Sequence, residues 1–245
     1  SNSSWHGTHV SGTVAAVSNN GTGVTGVAYN AKVQPVRVLA ACGGTLADIA
    51  DAITWASGGT VSGVPANPTP AKVINMSLGG SGACGATYQN AIDGAVSRGT
   101  SVIVAAGNSN ANAANNQPSS CTSTIVIAAS DREGNRASYS NYGSVVDLTA
   151  PGGETATAAN GVASTLNDGT TTPGTPNYVY YQGTSMASPH IAGLAALVLS
   201  KKSYTPADLE SLLKSGTRAL AGTCSGGCGS GLADAAKTIN LVPAV

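Results

Sequence analysis

Charge is scarce in this sequence. Asp, Glu, Lys and Arg make up 9% of the 245 residues, and the 11 acidic and 11 basic side chains cancel. An average soluble domain is about 25% charged. Without a basic excess the chain has no general attraction for nucleic acid or for an anionic membrane surface, so we expect neither as a partner. Small polar residues fill the surface-like stretches instead, which suits a secreted protein better than a cytosolic one.

Long apolar runs are absent as well. The longest, "IAGLAALVLS" at 191–200, is about half of what a bilayer crossing requires. The first residues lack the basic and then apolar pattern of a secretory signal, so we expect any export signal to lie upstream of residue 1.

An even cysteine count is also missing. The five cysteines are Cys42, Cys84, Cys121, Cys224 and Cys228. Pairing four of them allows fifteen schemes, five choices of the unpaired residue times three pairings of the rest. For "CSGGC" at 224–228 a small disulfide loop is favoured over a zinc site, because no second Cys or His pair lies close by.

The sequence does contain strand-like and helix-like segments in alternation. Apolar runs predict strands, several of them buried and parallel, at 31–39, 72–78, 101–107, 124–130 and 145–152. Helices are predicted at 45–56 and 87–99; the first has Thr45 as its N-cap and an apolar face of Leu46, Ile49, Ala50 and Ile53. Segments 18–26, 107–117 and 167–177 are rich in Gly and Asn and are predicted to be surface loops.

This alternation predicts a three-layer α/β fold, with a mostly parallel central sheet and helices on both faces. No change of composition marks a linker, so residues 1–245 are expected to form one domain.

The most informative stretch is "GTSMASPHIAGLAALVLS" at 183–200. Gly183 permits a tight turn, Thr184 can cap, and Ser185 begins a helix that is apolar nearly all round. Pro189 has no N–H to bond the carbonyl of Ser185, which loosens the helix where a nucleophile needs room. A lone Ser here would more often be an ordinary helix start.

Two further segments supply partners for such a nucleophile. "HGTHVSGTVAA" places His6 and His9 on neighbouring turns of a short helix, where a base at the N-terminus is kept neutral by the helix dipole. His9 is expected to be structural. "VIVAAGNSN" is a strand that breaks at Gly107 and presents Asn108 at its carboxyl end, where its amide can face an oxyanion together with the N–H of Ser185.

The motifs "HGTHVSGT", "NMSLGG", "VAAGN" and "GTSMASPHIAG", in this order and at these separations, resemble the subtilisin-like serine proteases over nearly the whole chain. The resemblance implies that His6 is the general base, Ser185 the nucleophile and Asn108 the oxyanion-hole side chain of a peptidase that works through an acyl-enzyme. It also implies a secreted bacterial zymogen with a removable pro-segment, which acts as a monomer on protein or peptide substrates.

The resemblance further implies a groove that takes the substrate as an added β-strand, which gives broad specificity. Its two edges correspond to Gly43 and Gly44 and to Ser77, Leu78 and Gly79. Ala105, Ala106 and Gly107 match one wall of the pocket for the side chain before the scissile bond (P1), and their small size predicts a large apolar P1 group. Leu39, Ile49 and Leu78 are expected to line a second apolar pocket, and the floor of the first falls in 115–121.

"SNNGTGVTGVA" at 18–28 resembles the family's calcium loop, with Asn20, Thr22 and Val24 as oxygen ligands for Ca²⁺. A Gly/Asn turn without an ion remains the alternative. The same resemblance puts Cys84 and Cys121 near the substrate end of the sheet, so these two are expected to pair, as are Cys224 and Cys228.

One element of the family pattern is missing. Subtilisin itself has the chain order Asp, His, Ser, and no Asp precedes His6 here. Asp51 and Asp93 fall on helices, and Asp147 matches a position that the family does not use for catalysis. We therefore expect an upstream segment to carry both the acid and the partner of Cys42, and residues 1–245 alone to be nearly inactive.

Two other classes of function stay open. The first is a catalytically inactive binding module on the same scaffold. The second is a metal-dependent hydrolase that uses His6 and His9, although Gly7 stands where a zinc-protease helix would carry its Glu.

Overall fold

The computed structural model describes residues 3–243. Its α-helices are α1 (His6–Ala15), α2 (Leu46–Ala56), α3 (Ala86–Ser97), α4 (Thr184–Lys201), α5 (Pro206–Ser215) and α6 (Ala235–Asn240). Its strands are β1 (Val73–Met76), β2 (Gly80–Ser81), β3 (Ser101–Ala105), β4 (Asn116–Gln117), β5 (Thr124–Ser130), β6 (Leu148–Pro151), β7 (Val162–Asn167), β8 (Pro176–Tyr181), β9 (Thr217–Arg218) and β10 (Leu232–Ala233).

Six strands form the central sheet in the order β1-β3-β5-β6-β10-β9. Every neighbouring pair is parallel except β10 and β9. Parallel neighbours need crossover connections, which here run through α3 between β1 and β3 and through longer segments elsewhere. The carboxyl ends of β1 and β3 therefore lie at the same edge of the sheet.

The core consists of two clusters, one on each face of the sheet. Alternation along the strands creates them: Val102 and Val104 of β3 join α2 and α3 on one face, whereas Ile103 joins α4 and α5 on the other. The expected α/β architecture with helices on both faces is confirmed.

Most predicted elements are present, with boundaries shifted by a few residues. Thr45 does cap α2, since its hydroxyl accepts the N–H of Asp48 at 3.1 Å. Leu46 does not belong to the buried face of that helix, because it is 37% exposed.

The predicted strand at 31–39 is wrong. Within the described chain these residues join no named strand, apart from an isolated bridge at Ala40 and Gly43 just beyond them. Val33 and Val36 remain 42% and 38% exposed. An apolar pattern indicates the capacity to be buried, but a strand also needs a partner that supplies the ladder of hydrogen bonds.

The β7–β8 hairpin was not predicted from the sequence. Six residue pairs join its strands, from Val162 opposite Tyr181 to Asn167 opposite Pro176. The aromatic and β-branched run "YVYY" at 178–181 is the sequence signal that could have revealed it, and in the structure its Tyr178 and Tyr180 face solvent.

Two disulfides brace the fold, in the expected pairing of Cys84 with Cys121 and of Cys224 with Cys228. Cys42 is exposed and unpaired among residues 3–243. Over the same residues, no helix combines the length and the apolar character that a membrane crossing requires.

Candidate active site

Ser185 lies in the first turn of α4, at the carboxyl edge of the sheet. Gly183 precedes the helix with φ 149°, a conformation open to glycine. Thr184 does not cap the helix as expected, because its hydroxyl donates to Asn108 Oδ1 at 2.9 Å. The same hydroxyl accepts the N–H of Gly107 at 3.1 Å, so Thr184 ties the helix start to the loop after β3.

The backbone of Ser185 is held by the segment that follows β1. Pro189 cannot donate to the carbonyl of Ser185, and the hydroxyl of Ser77 donates to it instead, at 2.8 Å. The hydroxyl of Ser185 donates to the carbonyl of Ser77 at 3.3 Å. The proline thus opens the helix to a bond from the neighbouring strand end, which fixes the position of Ser185.

Asn108 is oriented by its oxygen. Its Oδ1 accepts both the N–H of Thr184 at 2.8 Å and the hydroxyl of Thr184 at 2.9 Å. The nitrogen Nδ2 therefore remains as the donor, and it lies 3.7 Å from where a Cβ on Gly183 would stand. Asn108 presents an amide N–H beside the first turn of α4, where the helix dipole also favours negative charge.

A cavity of about 210 Å³ opens beside Ser185. Its lining includes the expected residues Leu78, Gly79, Ala105, Ala106 and Gly107, together with Asn108 and Ser185. The other lining residues are Asn116, Gln117 and Ser119, from the segment 115–121 in which the pocket floor was expected, and Gly80, Ser81, Ser109 and Thr184, which sequence reasoning did not assign to the pocket. Most of these lie in or beside β2 and β4, whose antiparallel pairing brings segment 115–121 to the cavity.

The other expected groove residues lie outside this cavity. Gly43 closes a turn through an isolated bridge to Ala40, and Gly44 follows it. Ile49 belongs to a core cluster, and Leu78, which does line the cavity, packs against that cluster, whereas Leu39 is 41% exposed. Ser77 acts on the Ser185 backbone rather than lining the cavity.

His6 begins α1, which packs against α4 and β7. Partial burial lowers the pKa of its imidazole, which favours the neutral form that accepts a proton. Among residues 3–243 no carboxylate hydrogen bonds to His6, and no hydrogen bond joins it to Ser185. Catalytic hydrogen bonds often tighten only when substrate is bound.

His9 is structural in its contacts. It is fully buried, its Nε2 lies 3.0 Å from the carbonyl of Val179, and its ring stacks on Tyr181 at a centroid distance of 4.5 Å. In the part of the chain that is described, no group of three His, Cys, Asp or Glu side chains could hold a metal ion. His9, one of the two histidines that a metal-dependent hydrolase would use, is engaged instead in packing and in a backbone contact.

The three carboxylates considered as substitutes for the missing acid have other surroundings. Asp147 accepts the N–H of Val126 and forms an ion pair with Lys214, both at 2.8 Å. Asp93 accepts from Gln89 on the exposed face of α3, and Asp51 is exposed on α2. None of them contacts His6.

The proposed calcium ligands lie in an exposed loop. Asn20 Oδ1 accepts the N–H of Thr22 at 3.1 Å, and the Asn20 carbonyl accepts the Thr22 hydroxyl at 3.4 Å. Asn20, Thr22 and Val24 offer only neutral oxygens, two of them already used within the loop. These residues alone do not form a complete site for a hard divalent cation, which usually includes carboxylates.

Comparison with known proteins places these features in a family. The profile of the subtilase family matches residues 1–231. An extracellular protease of Xanthomonas campestris pv. campestris is 62% identical over 240 residues, which is 96% of this chain and 40% of that protein. An extracellular basic protease of Dichelobacter nodosus is 46% identical over 245 residues, which is 98% of this chain and 40% of that protein.

Solved structures agree with the fold. A protease structure from Pseudoalteromonas arctica PAMC 21717 superposes with a TM-score of 0.96 at 58% identity, covering 99% of this chain and 72% of that one. A cold-adapted subtilisin-like serine proteinase gives a TM-score of 0.73 at 34% identity, covering 93% and 73%. The chain spans 40% of the length of the two bacterial relatives named above.

Proposed function

The chain belongs to the subtilase family, and from that premise we propose that the full protein is a secreted serine endopeptidase that cleaves peptide bonds through an acyl-enzyme on Ser185. The observation that carries the proposal is the orientation of Asn108, whose Oδ1 is held by Thr184 so that Nδ2 lies beside the first turn of α4. Extracellular relatives support the location outside the cell.

In the proposed mechanism, His6 takes the proton of the Ser185 hydroxyl as its oxygen attacks the scissile carbonyl. The carbonyl oxygen becomes an anion that accepts hydrogen bonds from Asn108 Nδ2 and the N–H of Ser185. His6 then gives the proton to the departing amine, and the C–N bond breaks to leave the acyl-enzyme. Water, deprotonated by His6, releases the acid and restores Ser185.

The substrate is proposed to be a protein or peptide with a neutral P1 side chain. Ala105, Ala106 and Gly107 leave the cavity wide, and none of its described lining residues is charged. A charged P1 group would be buried without a partner, which is costly. We therefore propose broad specificity with apolar P1 groups preferred, and expect peptides with P1 Leu or Tyr to be cleaved at least tenfold faster than those with P1 Asp or Lys.

The acid that orients His6 is proposed to come from sequence outside residues 1–245, together with the partner of Cys42. The support is that no described carboxylate bonds to His6 and that Cys42 is exposed. Intact mass and N-terminal sequencing of the secreted protein, with mapping of Cys42, test this. Full activity of a protein that begins at Ser1, with Cys42 free, would contradict it.

Calcium binding at the 18–28 loop also stays a proposal, and it requires a carboxylate beyond Asn20, Thr22 and Val24. The test is thermal denaturation of the full protein with calcium and with a chelator. An unchanged melting temperature would leave the loop as a simple turn.

The central experiment is labelling of the full-length protein by a fluorophosphonate, which reacts with an activated serine. We expect labelling and peptide cleavage in the wild type, and loss of both in Ser185→Ala. Ser200→Ala, at the exposed far end of α4, is the matched control and should retain both. A protein that folds but is never labelled would instead be a binding module on the protease scaffold.

A further inference from the structure

A buried asparagine lies directly behind the loop that carries Asn108. Asn141 has no exposed surface. Its Nδ2 donates to the carbonyl of Ala106 at 2.9 Å, and its Oδ1 accepts the N–H groups of Ser109 at 2.9 Å and Ala111 at 3.0 Å. One side chain thus binds the backbone on both sides of Asn108.

The backbone of Asn141 adds a further bond to the same loop. Its N–H donates to the carbonyl of Gly107 at 2.9 Å. A Cβ on Gly107 would lie 2.4 Å from Asn141 Nδ2, so only glycine lets the two segments approach this closely. The approach brings the amide of Asn141 into contact with the turn that precedes Asn108.

Asn141 is itself fixed to the central sheet. The N–H of Ala137 donates to the carbonyl of Ala129 in β5, and the N–H of Ala129 donates to the hydroxyl of Ser140, both at 2.9 Å. Ser140 is fully buried. The rigid strand therefore holds Ser140, and its neighbour Asn141 transmits that rigidity to the loop.

We propose that Asn141 is a positioning residue, which holds Asn108 so that its Nδ2 stands where the oxyanion forms. The inference rests on the proposed function and deepens it. Asn108 is exposed and makes its side-chain hydrogen bonds only to Thr184 among the described residues. Its backbone is held by the bonds that Asn141 makes on both sides of it, together with the bond from the Gly107 N–H to the Thr184 hydroxyl.

A positioning role predicts an effect on turnover that passes through Asn108. Losing the donor in Asn108→Ala should lower kcat by about 10² to 10³, a magnitude measured in subtilisin, which is itself a member of this family. Asn141→Ala should lower kcat by about 10- to 100-fold with little change in KM, because displacing a catalytic group by about 1 Å can cost a factor of 10².

The deciding experiment is a double-mutant cycle on the full-length enzyme. With Asn108 already replaced by Ala, Asn141→Ala should cause little further loss of kcat, since the donor that it positions is gone. If the two losses simply multiply, Asn141 does not act through Asn108 and the inference is overturned. Active-site titration with the fluorophosphonate ensures that kcat refers to folded, competent molecules.

Asn67 provides the matched control. It is 7% exposed, and its amide bonds Gln34, the carbonyls of Trp55 and Ala56, and the N–H of Thr69, none of which lines the cavity. Asn67→Ala should lower the melting temperature about as much as Asn141→Ala but leave kcat unchanged. A kcat loss as large as that of Asn141→Ala would show that both act through general stability, which overturns the inference.

Should Asn141→Ala fail to fold, Asn141→Asp preserves the volume and the two accepted bonds. Its second oxygen would face the carbonyl of Ala106 in place of the donor. At alkaline pH, where the carboxyl is ionised, kcat should fall. In a double-mutant cycle with Asn108→Ala, Asn141→Asp should again cause little further loss of kcat. Wild-type turnover by Asn141→Asp would overturn the inference. A wild-type enzyme that neither cleaves nor is labelled would refute the proposed function as well, whereas an active wild type with independent losses refutes this inference alone.

Discussion

Replacing Thr184 with Val tests how the oxyanion donor is oriented. Thr184 is fully buried, and its hydroxyl donates to Asn108 Oδ1 at 2.9 Å while accepting the N–H of Gly107 at 3.1 Å. Val has nearly the same shape but no hydroxyl, so Gly107 loses its acceptor and Asn108 keeps only the bond from the Thr184 N–H. The change isolates one polar group without opening a cavity.

The expected magnitudes follow from those bonds. Leaving the N–H of Gly107 without a partner should cost about 1–3 kcal/mol of unfolding free energy. At about 2–4 °C per kcal/mol for a domain of this size, the melting temperature should fall by about 2–12 °C. Asn108 loses one of its two side-chain bonds, worth about 0.5–1.5 kcal/mol, so kcat should fall by about 2- to 10-fold.

The assay compares Thr184→Val with Thr184→Ser, which keeps the hydroxyl. Turnover of a peptide substrate is measured on the full-length enzyme, and thermal unfolding is measured in a Ser185→Ala background to prevent self-digestion. Thr184→Ser should retain most of the wild-type kcat. If Thr184→Val turns over as fast as Thr184→Ser, then the hydroxyl does not orient Asn108 and the geometric argument is wrong.

Three further outcomes are expected. Removing the Cys84–Cys121 disulfide, whose sequence separation is 37, should lower the free energy of unfolding by about 4 kcal/mol through loop entropy. Removing Cys224–Cys228, with a separation of 4, should lower it by about 2 kcal/mol. Urea unfolding that shows the larger loss for Cys224–Cys228 would contradict this. Burial lowers the pKa of His6, His9 and His190 in the folded state. On acidification these histidines therefore bind protons at a higher pH in the unfolded chain than in the folded one. The stability that the neutral histidines contribute should be fully present above their ordinary pKa near 6.5 and should be lost as the pH falls through their lowered folded-state pKa values. A melting temperature that stays constant or rises on acidification would refute the lowered pKa values. Ile127→Ala, at a fully buried position in β5, should lower the free energy of unfolding by about 2–5 kcal/mol, measured with denaturant, and leave KM unchanged. A loss below about 1 kcal/mol would contradict this, because it would mean that the core closes the space left by the missing side chain.

Local patterns predicted much of the fold because the relevant physics is local. The largely apolar run 124–130 became β5 with every residue buried, and Thr45 capped α2 through a bond that spans three residues. The run at 31–39 failed for the opposite reason. Its apolar residues carry no information about which strand lies beside them, and pairing is decided by chain segments far away in sequence.

The features of the candidate site also separate into those set by local sequence and those set by contacts between distant segments. The sequence alone determined the types of group that chemistry requires: a histidine at a helix start, a serine before a proline-loosened helix, and an asparagine after a strand that breaks at glycine. Only the tertiary structure decided that Thr184 orients Asn108 instead of capping α4. It also decided that the pairing of β2 with β4 brings Asn116 and Gln117 to the cavity, and that Asn141 hydrogen bonds the loop that carries Asn108. Those contacts join residues that are 30 or more positions apart, and a hydrogen bond between such residues exists only after the sheet has placed their backbones within about 3 Å.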